Sequence, residues 1–288
     1  MSRLQQPIIG YTLGDQAGIG PEVMAAALLR LPQHAEYRPM GARIAATPGQ
    51  PTEETARAAL EQLERAAEAL RDGTIDAVVT APICKEGLHR LGFHYPGQTE
   101  FFADRLGVTN FAMCLTGRRL TVALATIHVA LKDIPGMLQT AELVRVGRLL
   151  ADFLRRTGIG SPRIALAGLN PHNGESGAFG DEESRIIAPA VEELQREGAA
   201  IFHGPCVPDC VYRDAAEGIY DAVVAPYHDQ ALIPLKLLDF DNAVNATIGL
   251  PRLRVSPDHG TAFGIAGKGL ANPSSTIRAF ELALRSVQ

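Results

Sequence analysis

The sequence has little of what marks secreted, disulfide-rich or thiol-metal proteins. Only four cysteines occur in 288 residues, and they are Cys84, Cys114, Cys206 and Cys210. Four cysteines in a chain of this length do not make a disulfide framework, and none of the spacings is the CxxC of a redox or zinc motif. We therefore expect all four to be free thiols in a reducing cytoplasm.

Long apolar runs and blocks of positive charge are also missing. No run approaches the ~18 consecutive apolar residues that a membrane-spanning helix needs, and the first residues, MSRLQQPIIGYTLGD, do not have the pattern of a signal peptide. The chain has 27 Lys and Arg against 32 Asp and Glu, a formal net charge of −5, and the basic residues are scattered. We expect a cytoplasmic protein that binds neither nucleic acid, which needs a basic stripe, nor a membrane surface.

Short apolar runs alternate with amphipathic segments, which is typical of an α/β protein whose mostly parallel sheet is flanked by helices. Several runs are apolar throughout, as expected for strands that are covered on both faces. The predicted strands are residues 7–13, 75–80, 111–115, 121–127, 163–169, 221–225 and 243–248. The predicted helices are residues 21–31, 52–71, 139–156, 182–197 and 275–286. The Pro- and Gly-rich stretch between Leu31 and Thr52 is interpreted as a shortened connection with a short strand at 42–45.

Four histidines lie where functional groups gather in open α/β sheets, after the ends of strands or at the start of a following loop. They are His128, His172, His228 and His259. One such histidine is more often structural than a ligand, but several beside Asn, Asp or Glu predict a site. Neutral imidazoles suit Zn²⁺, Co²⁺, Ni²⁺ or Mn²⁺ better than Mg²⁺, and a bound metal can polarise an alcohol oxygen before hydride leaves. Asp209 and Asp229 are candidates to orient a histidine or to bind a ribose hydroxyl.

Two glycine-bearing segments are candidates for ligand binding. GDQAGIGPE (14–22) matches neither G-x-G-x-x-G nor the P-loop, so Gly18 and Gly20 are open to two readings: they allow a turn, or they let backbone approach a ligand. HGTAFGIAGKG (259–269) is the stronger candidate, because its glycines and small residues permit close approach to an adenine and pyrophosphate. A helix start, which favours an anion, follows it. The alternative is a tight surface loop.

Cationic and amide side chains after His228 predict a site for an anion. Lys236, Asn245 and Arg254 together would form a clamp for a phosphate or carboxylate, although each alone would be a solvated surface residue. Lys85 follows the strand 75–80 in the segment TAPICKEGL. It could join this clamp or transfer a proton.

Taken in order, the motifs resemble the 4-hydroxythreonine-4-phosphate dehydrogenase family of vitamin B6 biosynthesis over nearly the whole chain. The motifs are GDQAGIGPE, TAPICKEGL, YPGQTEFFA, IHVALKDIP, NPHNGESGAFGDEE, APYHDQALIPLK and NATIGLPRLRVSPDHGTAF. The resemblance implies a fold like that of isocitrate and isopropylmalate dehydrogenases, with two lobes around a cleft. The lobes would be residues 1–120 with 245–288 on the cofactor side, and 121–244 on the metal and dimer side. It also implies a homodimer whose site lies at the subunit interface.

The resemblance assigns roles to matching residues. It implies a divalent metal (Zn, Co, Mn or Mg), shared across the dimer, on His128, His172 and His228. The substrate residues it implies, some of them candidates already, are Gln98, Thr99, Lys236, Asn245 and Arg254. Asp209 matches an aspartate near the reacting centre. The catalytic candidates are Asp209, Lys85 and Asp229. The candidates for holding NAD or NADP are His259, Gly260, Thr261, Ala262, Gly267 and Asn272. The implied reaction is NAD(P)-dependent oxidation of a 3-hydroxyl in a phosphorylated four-carbon hydroxy acid, after which the β-keto acid loses CO₂.

The chain departs from the family pattern in three places. The usual GHTE reads GQTE, so Gln98 stands where a substrate-contacting histidine is expected, and glutamine cannot carry a proton near pH 7. TALDLAG-like loops read TAFGIAG, so Gly264 removes a carboxylate that might touch the ribose and the choice of NAD or NADP stays open. The region after Leu31 is shorter than usual by a few tens of residues.

Other functions stay open at this point. Related subgroups oxidise 4-phospho-D-threonate or 4-phospho-D-erythronate in sugar-acid catabolism, and others act on a cis-dihydrodiol of terephthalate. A transferase of the phosphate acetyltransferase type has a related architecture but would need no metal. A relative without activity, motivated by Gln98 and the shortened segment, is the remaining alternative.

Overall fold

The computed structural model describes residues 6–287, which form ten strands and ten α-helices. The strands are β1 (Ile8–Tyr11), β2 (Glu36–Pro39), β3 (Ala77–Val79), β4 (Ala112–Thr116), β5 (Thr121–Leu124), β6 (Arg163–Ala167), β7 (Ile201–Cys206), β8 (Ala222–Ala225), β9 (Val244–Ile248) and β10 (Leu253–Pro257). The helices are α1 (Gly20–Leu28), α2 (Glu53–Asp72), α3 (Lys85–Arg90), α4 (Gln98–Arg105), α5 (Ile134–Met137), α6 (Thr140–Arg156), α7 (Ala188–Glu197), α8 (Pro208–Ala216), α9 (His228–Asp239) and α10 (Ser274–Arg285).

The chain divides into two compact units. The first unit comprises Met1–Thr109 and Val244–Gln288, and the second comprises Asn110–Ala243. In the first unit the strand order is β2-β1-β3-β10-β9, with β9 antiparallel to β10 and the other pairs parallel. In the second unit the order is β7-β6-β8-β5-β4, with β4 antiparallel to β5 and the other pairs parallel. The predicted fold class, an α/β protein with a mostly parallel sheet and flanking helices, is confirmed. The arrangement of two lobes around a cleft stays a prediction.

Helix α2 shows how local sequence fixes an element. The hydroxyl of Thr52 accepts from the N–H of Thr55 at 3.2 Å, and the hydroxyl of Thr55 accepts from the N–H of Thr52 at 3.1 Å. These two bonds satisfy backbone donors that the first turn leaves without helical partners. Gly73 ends the helix in the left-handed region, with φ 72°. The buried face, which includes Leu63 and Leu70, packs against β3 and α4, and each leucine stabilises the fold by about 1.5–3 kcal/mol.

Two strands that directly precede candidate site residues, β3 and β8, are apolar throughout. Every residue of β3 and β8 is buried, which is typical of parallel strands with both faces covered. In the second unit, α6 and α9 pack against both β5 and β8. The chain leaves β5 and β8 at the same edge of the sheet, so residues 126–128 and 226–228 are brought together there.

The sequence patterns missed three strands. Two of them, β2 and β7, stand last in the strand orders of their units and contain mostly half-exposed or exposed residues, so they lack an apolar run. The third, β10, is interrupted by a buried arginine. The predicted strand at 42–45 is wrong: this stretch is an irregular loop held by Gln16, whose Nε2 donates to Ala42 O at 3.0 Å and whose Oε1 accepts from the N–H of Ile44 at 2.9 Å.

The helices and cysteines agree with the composition. Within residues 6–287, no helix combines the length and the apolar character needed to cross a membrane. All four cysteines are free thiols. Burial raises the pKa of the Cys114 and Cys206 thiols, which keeps both protonated at neutral pH.

Candidate functional site

A buried arginine is the centre of a polar layer in the first unit. Arg254 lies in β10 with 3 % of its surface exposed. Its Nε and Nη2 donate to the hydroxyl of Thr80, at 3.0 and 2.8 Å, and Nη2 also donates to Oε1 of Gln98 at 2.9 Å. Thr80 follows β3 and Gln98 is the first residue of α4, so three different elements meet at one guanidinium.

Strand pairing places further polar residues on the same face. In the β9–β10 pair Arg254 stands opposite Thr247, and Asn245, two residues away on β9, shares the face of Thr247. The hydroxyls of Thr99 and Thr247 lie 3.2 Å apart. We call this set the arginine layer, and its members are Thr80, Gln98, Thr99, Asn245, Thr247 and Arg254. Four of the five predicted substrate residues thus share one layer, whereas Lys236 lies in α9 of the second unit.

Among the described residues, no carboxylate accepts a hydrogen bond from the guanidinium of the arginine layer. The hydrogen-bond acceptors that Arg254 reaches are neutral oxygens, and its Cζ lies 5.8 Å from the centre of the Phe102 ring. Burial lowers the pKa of the Arg254 guanidinium to about 9, against a smaller opposing effect of Glu100, so the group stays protonated at pH 7. A buried cation without a paired acid is costly, and an anionic ligand would relieve that cost.

Asn245 adds a second indication of a ligand. Its Oδ1 is buried and has no hydrogen-bond partner among the described residues. Buried amide oxygens are nearly always paired. A ligand hydroxyl could donate to this oxygen, or the amide could turn and donate to an anion.

The second unit brings two of the predicted metal ligands together. His128 follows β5, and His228 is the first residue of α9, after β8. Their ring centres lie 5.6 Å apart, and we call them the histidine pair. Both line a cavity of about 460 Å³ together with Thr126, Tyr227 and Asp229. Nδ1 of His228 lies 2.7 Å from Oδ1 of Asp229, the usual way in which a carboxylate orients a metal-binding imidazole.

His172 lies apart from this pair in sequence and on unusual backbone. It begins a segment, residues 172–176, in which every φ lies between 43° and 79°. The left-handed region costs a non-glycine residue roughly 1–2 kcal/mol, so the surrounding structure must hold this segment. Asn173 donates to Pro205 O at 2.8 Å, and the buried carboxylate of Glu183 accepts from the N–H groups of Leu169 and Asn170 at 2.8 and 2.6 Å.

The donor set of the histidine pair fits a divalent ion but does not complete its coordination. Residues 6–287 contain no group of three His, Cys, Asp or Glu side chains arranged to hold a metal. His128 and His172 are both exposed, and both have left-handed backbone, with φ 51° and 52°, a conformation found more often at functional sites than elsewhere. The set of three histidines stays a prediction, and one chain brings together only His128 and His228.

The catalytic candidates are divided between the units. Asp209 lies in the first turn of α8, in a groove of about 430 Å³ that is also lined by Tyr212, Asp229 and Gln230. Asp229 therefore faces both this groove and the cavity of the histidine pair. Lys85 is the exposed first residue of α3 in the first unit.

The glycine-rich loop after β10 packs on the start of α1. Thr261 O accepts from the N–H of Ile19 at 2.9 Å, and a Cβ on Gly18 would lie 2.6 Å from that same oxygen. A Cβ on Gly20 would meet Leu13 O. Protein backbone therefore explains why both residues are glycine, which favours the structural interpretation of GDQAGIGPE over close approach to a ligand.

Several cofactor candidates remain accessible in this region. Ala262 and Gly267 have φ 45° and 72°, and Gly267 lines a cavity of about 170 Å³ together with Gln16, Glu22 and Arg43. Nε2 of His259 is buried with no partner among the described residues, as a nitrogen that awaits a ligand would be. Gly260 and Asn272 are exposed, and Asn272 already has a structural role, since its Oδ1 accepts from the N–H of Ser274 at the start of α10. The cavity lined by Gly267 and the unpartnered ring nitrogen of His259 are separate features of this loop region, and the assignment of these residues to a cofactor stays a prediction.

The chain matches one family over most of its length. A family model described as pyridoxal phosphate biosynthetic protein PdxA matches residues 21–283. The chain belongs to the PdxA family. Among its relatives, the 4-hydroxythreonine-4-phosphate dehydrogenase of Methylorubrum populi is 47 % identical over 331 residues, covering 97 % of this chain and 94 % of that protein. The enzyme of the same name from Desulfosudis oleivorans is 41 % identical over 323 residues, covering 97 % and 96 %.

A solved structure agrees with this assignment. The crystal structure of 4-hydroxythreonine-4-phosphate dehydrogenase from Klebsiella pneumoniae superposes with a TM-score of 0.84 at 37 % identity, and the match covers 98 % of this chain and all of that one. The family resemblance seen in the motifs is therefore confirmed. The two alignments of 323 and 331 residues are longer than this chain of 288 residues, so those relatives carry segments that this PdxA member lacks.

Two departures from the PdxA pattern have visible structural consequences. Gln98 is held at both ends, because its Nε2 donates to Ala81 O at 3.1 Å while its Oε1 accepts from Arg254. Only β2 and an irregular loop connect α1 to α2, and Gln16 fastens that loop.

Sequence reasoning missed Thr80, Thr247 and Glu183, which build the surroundings of both sites. Thr80 directly follows the apolar run of β3, a position where polar site residues are expected. A lone threonine has no charge and no preference for metals, so nothing in the sequence marks it as a site residue. Thr247 and Glu183 are buried partners of other side chains or backbone groups, and no spacing rule identifies such partners.

Proposed function

We propose that this member of the PdxA family is an NAD(P)-dependent dehydrogenase. It oxidises the 3-hydroxyl of 4-phosphohydroxy-L-threonine, and the β-keto acid formed then loses CO₂. The observation that carries the proposal is the arginine layer, in which a buried guanidinium donates its hydrogen bonds to neutral side chains of the described residues. Such a site needs an anionic ligand, and a phosphorylated hydroxy acid supplies one.

Residues of this chain would bind and orient the substrate. Arg254 and Asn245 bind its anionic end in the first unit, and Lys236 of the second unit stays a sequence-based candidate for binding the phosphate. Asp229 fixes the ring of His228 through the 2.7 Å contact. Asp209, whose carboxylate lines a groove beside Asp229, is the group that takes the hydroxyl proton, and Lys85 is the second candidate for proton transfer.

The proposal includes a divalent metal and a nicotinamide cofactor. His128 and His228 would hold the metal, with His172 of the partner subunit as third ligand, and these imidazoles favour Zn²⁺, Co²⁺ or Mn²⁺ over Mg²⁺. Residues 259–262, with Gly267 and Asn272, would hold NAD or NADP. When bound, the metal supplies Lewis-acid polarisation of the substrate hydroxyl and the nicotinamide accepts the hydride.

A homodimer and a cytoplasmic location belong to the same proposal. The histidine pair lacks a third ligand within residues 6–287, and a second copy of the chain could supply one. Four free thiols suit a reducing compartment. Light scattering of the purified protein at micromolar concentration should show a dimer, and a monomer that retains full activity would contradict a shared site.

The alternatives are less well supported. The relatives that match over full length carry the dehydrogenase name, which does not favour the transferase. Nor does it favour 4-phospho-D-threonate, 4-phospho-D-erythronate or a terephthalate dihydrodiol as the substrate.

One coupled assay tests the function. NADH and NADPH formation should be followed with 4-phosphohydroxy-L-threonine, 4-phospho-D-threonate, 4-phospho-D-erythronate and unphosphorylated 4-hydroxythreonine, with the metal varied after chelation. We expect turnover of the first compound, loss of turnover after chelation, and recovery with Zn²⁺, Co²⁺ or Mn²⁺. Faster turnover of a D-sugar acid, or of the unphosphorylated compound, would overturn the proposed substrate.

A further inference from the structure

Both polar ends of the Gln98 side chain are used inside the protein. Its Nε2 donates to Ala81 O at 3.1 Å, and Ala81 is itself fixed, since its N–H donates to the hydroxyl of Thr12 at 3.1 Å. Its Oε1 accepts from Nη2 of Arg254 at 2.9 Å. Gln98 therefore forms a brace between immobile backbone and the guanidinium.

This brace determines which donors of Arg254 are left for a ligand. The single hydrogen on Nε and the two on Nη2 are taken by Thr80 and Gln98. The two hydrogens on Nη1 have only the hydroxyl of Thr247 within reach among the described residues, at the long distance of 3.5 Å. Nη1 is thus the edge of the guanidinium that can bind an anion, and it lies toward β9, where Asn245 has its unpaired oxygen.

The chemistry of glutamine suits this task. Its carbonyl accepts from a cation and its amide donates to a carbonyl, so one neutral side chain satisfies both partners. A carboxylate at the same position would accept from Arg254 equally well, but it would pair with the guanidinium and compete with an incoming anion. An alkyl side chain would leave Nη2 without its second partner and let the guanidinium turn.

We propose that Gln98 is a positioning residue, which aims the Nη1 edge of Arg254 at the substrate's phosphate group without adding charge to the arginine layer. This inference rests on the proposed function for the identity of the anion. It adds a positioning role to the sequence-based expectation that Gln98 binds the substrate, which stays a prediction.

Three substitutions separate this role from its alternatives. Gln98→Met keeps most of the volume and removes both hydrogen bonds, Gln98→Glu keeps the acceptor and adds a charge, and Gln98→Ala removes the side chain. Gln139→Met, at an exposed glutamine of the second unit, is the control. Calorimetry measures the Kd of inorganic phosphate, and steady-state kinetics measures KM and kcat for 4-phosphohydroxy-L-threonine.

We expect Gln98→Met to weaken phosphate binding and raise KM by about 10- to 100-fold, the range for a lost hydrogen bond to a charged group, while kcat changes by less than about threefold, since the lost interaction acts on binding. Gln98→Glu should weaken phosphate binding and raise KM by at least as much, although glutamate is nearly isosteric with glutamine. A Gln98→Met protein that binds like the unmodified one, with only Gln98→Ala impaired, would show a packing role and overturn the inference.

The phosphate measurement separates the inference from the proposed function. If KM rises in the variants while the Kd of inorganic phosphate stays within twofold, Gln98 contacts the substrate itself and the inference is wrong. If phosphate binding depends on Gln98 but no 4-phosphohydroxy-L-threonine is oxidised, the inference stands and the proposed substrate falls. Failure of the unmodified protein to bind phosphate at millimolar concentration would also overturn the inference.

Discussion

The arginine layer and the histidine pair are prepared for their ligands to different degrees. The arginine layer is buried and held by hydrogen bonds from β3, α4, β9 and β10, all within one unit of one chain. The histidine pair is partly exposed and offers two rings at 5.6 Å, with no third ligand in residues 6–287. If the proposed assignments hold, one chain preorganises the anion site, whereas the metal site needs a further ligand from outside that chain.

The difference follows from what each site must overcome. A guanidinium in the interior must have its N–H groups fixed by protein acceptors, because an unpaired buried donor costs about 1–3 kcal/mol. Imidazoles at the surface can be satisfied by water. Asp229 orients His228, but the protein does not have to complete the coordination sphere before a metal binds. We therefore predict that metal binding by the histidine pair depends on subunit assembly, whereas anion binding by the arginine layer does not.

The largest expected effect on activity follows from removing a metal ligand. His228→Ala and His172→Ala should each lower kcat/KM by about a thousandfold or more, since Lewis-acid stabilisation amounts to several kcal/mol. Mixing the two inactive variants after reversible unfolding should restore activity to about a quarter of normal, because a two-fold dimer with ligands from both subunits leaves one intact site in each mixed dimer.

A matched mixture is the control for this experiment. His128 and His228 lie together in one chain, so mixing His128→Ala with His228→Ala should restore no activity. Recovery in this control, or no recovery in the first mixture, would contradict the assignment of His172 to the partner subunit.

The second largest effect concerns the geometry of the arginine layer. Arg254→Lys keeps a positive charge but lacks the planar fork that reaches Thr80, Gln98 and an anion at once. We expect KM to rise by about 100-fold through the loss of charge-assisted hydrogen bonds, with the dimer unchanged. Arg252→Lys is the control, since the hydrogen bond of Arg252 within the described residues goes to Leu70 O, and the KM of this variant should stay normal. An unchanged KM in Arg254→Lys would remove this residue from the anion site.

The sequence predicted where most candidate site residues would lie, but not the strand, the helix and the backbone conformation that position several of them. Strand-end positions predicted His128 and His228 because parallel strands end at one edge of a sheet. Strand β10 was missed because Arg254 interrupts its apolar run, so the residue that makes the site also hid the strand. The left-handed backbone of residues 172–176 was unpredictable, since four of these five residues are not glycine and only tertiary contacts hold them there. Helix α9 was missed partly because Pro234 lies inside it.

A smaller effect is expected from pH, through the guanidinium of the arginine layer. Burial lowers the pKa of Arg254 to about 9, with Glu100 opposing, so anion affinity is present below that pH and is lost as pH rises through it. We expect kcat/KM to fall above about pH 9, and kcat to fall at higher pH, since a bound anion favours the charged guanidinium. Gln98→Glu should move the fall in kcat/KM upward in pH. A flat kcat/KM profile to pH 10.5 would contradict a role for the Arg254 charge in anion binding.

The smallest effect on activity, and one confined to the second unit, concerns the segment that carries His172. Glu183 is buried and its carboxylate accepts from the N–H groups of Leu169 and Asn170 and from Nδ2 of Asn170. Glu183→Gln keeps one acceptor and places an amide against a donor, which should lower the free energy of unfolding by about 1–3 kcal/mol. Metal affinity should fall only a few-fold, because His172 is loosened and not removed, and phosphate affinity should not change because the arginine layer lies in the other unit.

Urea unfolding, metal titration and phosphate calorimetry measure the three quantities, with Glu192→Gln, at an exposed glutamate, as control. Equal losses of metal and phosphate affinity would show that the two regions are coupled, and the contrast drawn between them would then fail.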